Sequence, residues 1–280
     1  MRYISTGCKI LDKLMGGGFL ASAINLIYGD PGSGKTTLIL QTILNLSKNC
    51  EGEFFYLDTE QGFHESRLLQ MAKALNINKS ILERMYITRV DSLSEQHKII
   101  IHKWEEIIKN EGLQPLAFIV DSFVNQYHKQ LLAAKTAFLA SEARELQGKL
   151  AYQSGKLMSL AIKYDVPVIL VSWTKSAAYK TFLDRERNKM LKKQELLDLE
   201  LGFDAKRFEV IGGSHLEYVS KTILRLLILK DYKRLAILEK HIAMPTPKVV
   251  KLKMSEEGLV GDDEKVYELN DYWKKIIKET

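Results

Sequence analysis

Short, uninterrupted apolar runs alternate with longer stretches in which apolar residues recur at helical spacing. AINLIYG (23–29), EFFYLDTE (53–60), RMYITRV (84–90), LAFIVDS (116–122) and VPVILVSW (166–173) predict strands. Between them, KTTLILQTILNLSK (35–48), ESRLLQMAKAL (65–75), EQHKIIIHKWEEIIKN (95–110) and a long region over about 131–164 predict helices. Strands apolar at nearly every residue need cover on both faces. The alternation therefore predicts an α/β fold built on a doubly wound, mostly parallel sheet.

The pattern changes after Trp173. Residues 177–207 are charged and mostly helical in composition, with Leu183, Met190 and Leu197 seven apart, which reads as a solvated helical insertion resting on the body. TILRLLILK (222–230), RLAILEKH (234–241) and KVVKLKMS (248–255) then predict three strands joined by turns at KDYK and AMPTP, an antiparallel meander extending the sheet. The tail YWKKIIKET (272–280) predicts a short helix with Trp273 and Ile277 packed inward. No repeat, low-complexity tract or Pro/Gly/Ser linker interrupts the chain, so a single domain over residues 1–280 is expected.

Composition adds a few limits. With 46% hydrophobic and 27% charged residues in 280, the chain has the balance of a soluble globule with a sizeable core. No apolar run approaches the ~20 residues that span a bilayer, and the N-terminus lacks the apolar segment of a secretion signal. The only cysteines, Cys8 and Cys50, have no metal-ligand spacing and fit a reducing, cytoplasmic setting. The net charge of +6 is concentrated: Lys175, Lys180, Arg185, Arg187, Lys189, Lys192 and Lys193 face only Asp184 and Glu186 in that stretch. A cationic segment of this kind can neutralise several nucleic-acid phosphates, and Tyr179 and Phe182 within it could stack on bases or pack a helix.

The chemistry begins at Gly29-Asp30-Pro31-Gly32-Ser33-Gly34-Lys35-Thr36, which fills G-x-x-x-x-G-K-[ST] between a strand and a helix. Glycines let backbone N–H groups turn toward phosphates, and the helix N-terminus favours anions. Lys35 is expected to reach the β/γ-phosphates, Thr36 to offer a hydroxyl to Mg²⁺, and Thr37 to follow in the first turn. Asp121, the first charge after the apolar run of LAFIVDS, is the expected metal-positioning acid. Asp58, Thr59 and Glu60 end a strand shortly after the loop; Glu60 is the expected group for orienting or deprotonating water, with Asp58 the alternative. The remaining histidines are scattered, without metal spacing.

At these residues the chain resembles the RecA-type recombinase family, and within it the short, RadB-like paralogs of the archaeal recombinase RadA. STGCKILDKLMGGGF, YGDPGSGKTTLILQ, YLDTEQGFHESRL, FIVDS, VPVIL, Gly212-Gly213 and LAILEKH carry the likeness in family order, over nearly the whole chain. The resemblance implies a RecA-like ATPase core using ATP and Mg²⁺, with Glu60 catalytic and Arg67 against the adenine ring. It also implies a first DNA-facing segment at Val124–Lys135 and a second between Thr174 and Ile211, where the basic residues lie.

Three departures qualify what is implied. The family ends the strand before the second DNA-facing segment in Asn-Gln, the Gln sensing the γ-phosphate; here Ser172 and Trp173 stand there, and an indole cannot accept a hydrogen bond from water. The polymerisation motif Phe-x-x-Ala is missing, as is the N-terminal helical domain of full recombinases. An accessory role is therefore expected. The chain would be a weak, Mg-dependent ATPase that binds DNA, single-stranded by preference, and assists a RadA-type recombinase in homologous recombination and repair. The alternative is an ATP-gated protein-interaction module, KaiC-like or a recombinase regulator, with incidental hydrolysis.

Overall fold

The computed structural model describes residues 1–133, 139–174, 210–211, 213–229, 232–269 and 271–272. Chain order runs β1 (Tyr3–Ile4), α1 (Lys9–Leu14), β2 (Phe19–Leu20), β3 (Ala23–Gly29), α2 (Lys35–Ser47), β4 (Glu53–Asp58), α3 (Glu65–Ala74) and β5 (Met85–Arg89). Next come α4 (Leu93–Lys98), a π turn (Ile99–Lys103), α5 (Trp104–Glu111), β6 (Pro115–Asp121), α6 (Asn125–Ala133), α7 (Leu139–Tyr164) and β7 (Pro167–Ser172). After residue 209 follow α8 (Gly213–Val219), β8 (Thr222–Ile228), β9 (Lys233–His241), β10 (Lys248–Met254), β11 (Leu259–Gly261) and β12 (Tyr267–Glu268).

Among the described residues the main sheet has the order β11-β10-β9-β8-β3-β7-β6-β4-β5, with β12 also paired to β10. From β8 to β5 all pairs are parallel; β9, β10 and β11 add antiparallel strands at one side. The fold is α/β on a mostly parallel sheet, as the alternation predicts, with the RecA-like core that the resemblance implies. The first strand of the expected meander differs in one respect: β8 lies parallel beside β3, and only then does the chain turn back on itself.

The apolar runs are explained by two-sided burial. Along β4, Phe54 and Tyr56 enter one core while Phe55 and Leu57 enter the other. The first core takes apolar residues of α1, α2 and α3; the second takes those of α4 to α8. Trp104 and Phe118 pack at 5.4 Å between ring centroids in the second core. Ser92 caps α4 by accepting from the Glu95 N–H at 3.2 Å. The helix expected over 95–110 is present, but passes through the π turn.

The two-stranded β1–β2 sheet escaped the pattern because each strand has two residues. Cys8 is buried at the start of α1. The charged insertion at 177–207 and the tail residues Trp273 and Ile277 lie outside the described residues. Among the described residues, no helix is long and apolar enough to cross a membrane.

Candidate nucleotide site

Parallel strands put their C-terminal ends on one edge, and β3, β7, β6 and β4 are consecutive in the sheet. The phosphate loop leaves β3, Asp121 ends β6, Asp58 ends β4, and Trp173 follows β7.

The loop itself is shaped by close approach. A Cβ on Gly29 would stand 2.2 Å from the Leu226 carbonyl oxygen, so the neighbouring strand excludes any side chain there. Gly34 precedes α2 with φ +105°, a conformation open to glycine. Pro31 and Gly32 are exposed at the apex, Asp30 and Gly34 are half-buried, and Ser33 is buried. The Ser33 hydroxyl has no hydrogen-bond partner among the described residues.

Lys35 is buried and donates to the carbonyls of Gly29 at 2.9 Å and Asp30 at 2.8 Å. Burial pushes its ammonium below the usual lysine range, opposed by the charges of Asp121, Glu60 and Asp30. Thr36 donates to Asp121 Oδ2 at 2.7 Å, and the buried Tyr56 hydroxyl donates to the same oxygen at 2.9 Å. Burial holds the Asp121 carboxyl up at about 6, helped by Glu60; the Thr36 and Tyr56 hydrogen bonds and Lys35 pull the other way. Tyr56 is raised by its own burial and by Asp121. Thr37 is half-buried in the first turn of α2.

Asp58 and Glu60 are separated by what they contact. Asp58 is buried and accepts the backbone N–H groups of Glu60 (3.3 Å), Gly62 (3.0 Å) and Phe63 (3.1 Å), with Arg89 at 3.6 Å. Its lone pairs shape the loop. Glu60 is exposed and offers its carboxylate outward, where the Trp173 indole N–H donates to Oε1 at 2.7 Å. Thr59 is tied from both sides: its N–H donates to the Asp121 carbonyl at 2.9 Å, and its carbonyl accepts the side-chain amides of Asn125 and Gln126. Those amides open α6, in the first expected DNA-facing segment.

Arg67 donates to Gln70 at 2.8 Å and to the Ser255 carbonyl at 3.3 Å, bridging α3 to the end of β10. Lys175, Lys180, Arg185, Arg187, Lys189, Lys192 and Lys193 lie outside the described residues. What flanks them is described. Thr174 pairs with Val210 in an antiparallel bridge, and Ile211 N–H donates to the Trp173 carbonyl at 3.0 Å. Ser172 Oγ donates to the Ile211 carbonyl at 2.7 Å. Both ends of the insertion are thus fastened at the edge that carries the phosphate loop.

Sequence reading missed four participants: Tyr56, Thr174, Arg234 and the donor role of Trp173. Thr174 Oγ1 donates to Asp30 of the phosphate loop, and Arg234 donates to the Gly32 carbonyl at 3.1 Å. Tyr56 had a signal, a hydroxyl two residues before Asp58 in an apolar strand. Thr174 and Arg234 had none, because their partners are remote in sequence and only the strand order brings them near.

The residues present suit a Mg-bound nucleotide. A hydroxyl and an acid share one hydrogen bond, an ammonium lies beside them, and a buried serine hydroxyl is unpaired among the described residues.

Comparison with known proteins gives a consistent result. A family profile described as Rad51 matches residues 1–188. The protein named DNA repair and recombination protein RadB from Methanoculleus marisnigri is 31% identical over 257 residues, covering 91% of this chain and 96% of that one. Its namesake from Thermococcus kodakarensis is 30% identical over 260 residues, covering 91% and 98%. A solved structure titled as the crystal structure of the RadB recombinase superposes with TM-score 0.65 at 28% identity, covering 93% of this chain and 100% of that one.

Proposed function

Because the chain belongs to the Rad51 family, as a recombinase paralog with RadB relatives across nearly its full length, we propose that it is a weak, Mg-dependent ATPase that binds DNA and assists a RadA-type recombinase in homologous recombination and repair. One observation carries the ATPase reading: the Thr36–Asp121 hydrogen bond at 2.7 Å, beside the buried Lys35. Thr36 and Asp121 would hold Mg²⁺, which neutralises phosphate charge when bound. Lys35 binds the phosphate chain, and Arg67 lies against the adenine. Glu60 takes the proton of the attacking water. The water oxygen bonds to the γ-phosphorus as the bond to the β,γ-bridging oxygen breaks, and ADP carries away that electron pair. We read residues 1–280 as one such unit acting in the cytoplasm.

The basic residues between Lys175 and Lys193 are the proposed DNA contacts, with single-stranded DNA the favoured partner. Anchoring of both insertion ends at the nucleotide edge supports that reading, because nucleotide and DNA would act on the same backbone. The test is fluorescence anisotropy with labelled single-stranded DNA across a salt series, beside a pulldown with a purified archaeal RadA-type recombinase. Binding that weakens steeply with salt, together with recovery of the recombinase, supports the proposal. No DNA binding at low salt defeats it.

A further inference from the structure

Trp173 stands where three segments meet. Its indole N–H donates to Glu60 Oε1 at 2.7 Å. Its ring meets His128 of α6 edge to face, 5.7 Å between centroids. Its carbonyl accepts the N–H of Ile211, just beyond the insertion, at 3.0 Å.

An indole has a donor and no acceptor, so Trp173 cannot take a hydrogen bond from water; it can act only on an acceptor. The acceptor beside it is Glu60. The backbone of Glu60 is already set by Asp58, which accepts its N–H at 3.3 Å, but the side chain is exposed and long. Left alone, such a chain spreads over several rotamers, and fixing it costs on the order of 1 kcal/mol or more. A charge-assisted hydrogen bond to one carboxylate oxygen restrains the rotamer and leaves the second oxygen to accept a proton.

We propose that Trp173 is a positioning residue for hydrolysis: its N–H holds Glu60 Oε1 so that Oε2 faces the attacking water. The proposal rests on the reading of Glu60 as the proton acceptor. It also makes the start of the insertion and the first turns of α6 the places from which the orientation of Glu60 is set, one through the Trp173 backbone and the other through His128.

Trp173→Phe keeps an aromatic ring against His128 and deletes the N–H, whereas Trp173→Gln restores a donor without the ring. Steady-state ATP turnover by the full-length chain should show kcat falling about tenfold in Trp173→Phe with KM for ATP nearly unchanged, and Trp173→Gln recovering most of the loss. The contact itself is read by ¹⁹F NMR of 5-fluorotryptophan-labelled protein, whose three tryptophans are Trp104, Trp173 and Trp273. The resonance absent from Trp173→Phe should move in Glu60→Ala while that of the buried Trp104 stays.

Wild-type kcat in Trp173→Phe beside a slow Glu60→Gln overturns the positioning role alone. So does an equal loss in Trp173→Gln, or a Trp173 resonance indifferent to Glu60→Ala. Unchanged turnover in Glu60→Gln instead removes the reading of Glu60 on which the role depends.

Discussion

The phosphate loop, Gly29–Thr36, and the end of β7, Ser172–Thr174, lie side by side on one sheet edge and are built in opposite ways. The loop is local. Lys35 bonds the carbonyls of Gly29 and Asp30 and Gly34 opens the helix, so its turn is closed by contacts a few residues apart. The end of β7 is assembled from afar. Trp173 reaches Glu60 across 113 residues of sequence, and Thr174 reaches Asp30 across 144. The first region has the backbone geometry of a phosphate-binding loop, carried by its own motif. The second sets side chains against that loop and against Glu60 from segments far away in sequence, among them Trp173 where the family pattern has Gln. Particular behaviour is therefore to be sought at β7, and general competence at the loop.

The loop side breaks most completely. Lys35→Ala removes the cation beside Asp121 and should lower ATP turnover by about 100-fold or more, read by phosphate release, with nucleotide affinity falling in parallel. Turnover within a few-fold of wild type would separate Lys35 from the chemistry.

The insertion that starts at β7 gives the next effect. Neutralising Lys189, Lys192 and Lys193 together should weaken single-stranded DNA binding by roughly tenfold and flatten the salt slope by at most about three units. An unaltered slope would return the segment to a solvated helical face. A finer probe crosses the boundary between the two regions. Thr174→Val deletes the hydroxyl that Asp30 accepts, at nearly constant volume, and should weaken ATP binding by about fivefold, on the scale of one hydrogen bond. Calorimetric titration with a non-hydrolysable analogue reads it.

The smallest effect lies away from the edge and serves as a control. Hydrogen bonds from Lys156 and then Lys163 hold the Glu105 carboxyl down at about 2. An unfolded glutamate titrates near ~4.3. The folded value is depressed, so the stabilisation is present above the unfolded value and is lost as pH falls from there toward 2. The groups are substantially exposed, so the contribution is below about 1 kcal/mol. Glu105→Gln should lower the melting temperature slightly at pH 7 and by less at pH 3, with ATP turnover untouched.

The same contrast explains what the sequence made legible. Unbroken apolar runs such as FFYLD and FIVD announce strands covered on both faces, and the loop motif announces its own context, so the parallel core and Gly29–Thr36 could be read directly. Glu60 could be chosen with Asp58 as the alternative, because both close one apolar run; what the sequence does not carry is that Asp58 turns inward to three backbone N–H groups. Trp173 was visible as the loss of the family's γ-phosphate-sensing Gln, while its contact with Glu60 was not visible. That contact depends on which strands are neighbours, and strand order is not written in any local spacing. The basic charge at Lys175–Lys193 could be counted, and lies outside the described residues.

Single-turnover hydrolysis of Mg-ATP by wild type and Glu60→Gln, each with and without single-stranded DNA, tests the central claim most directly. The account predicts that Glu60→Gln binds nucleotide as wild type does and cleaves it about 100-fold more slowly under both conditions. Cleavage at the wild-type rate would show that another group accepts the proton, and the arrangement of Lys35, Thr36, Asp121 and Glu60 around one triphosphate would lose its catalytic meaning.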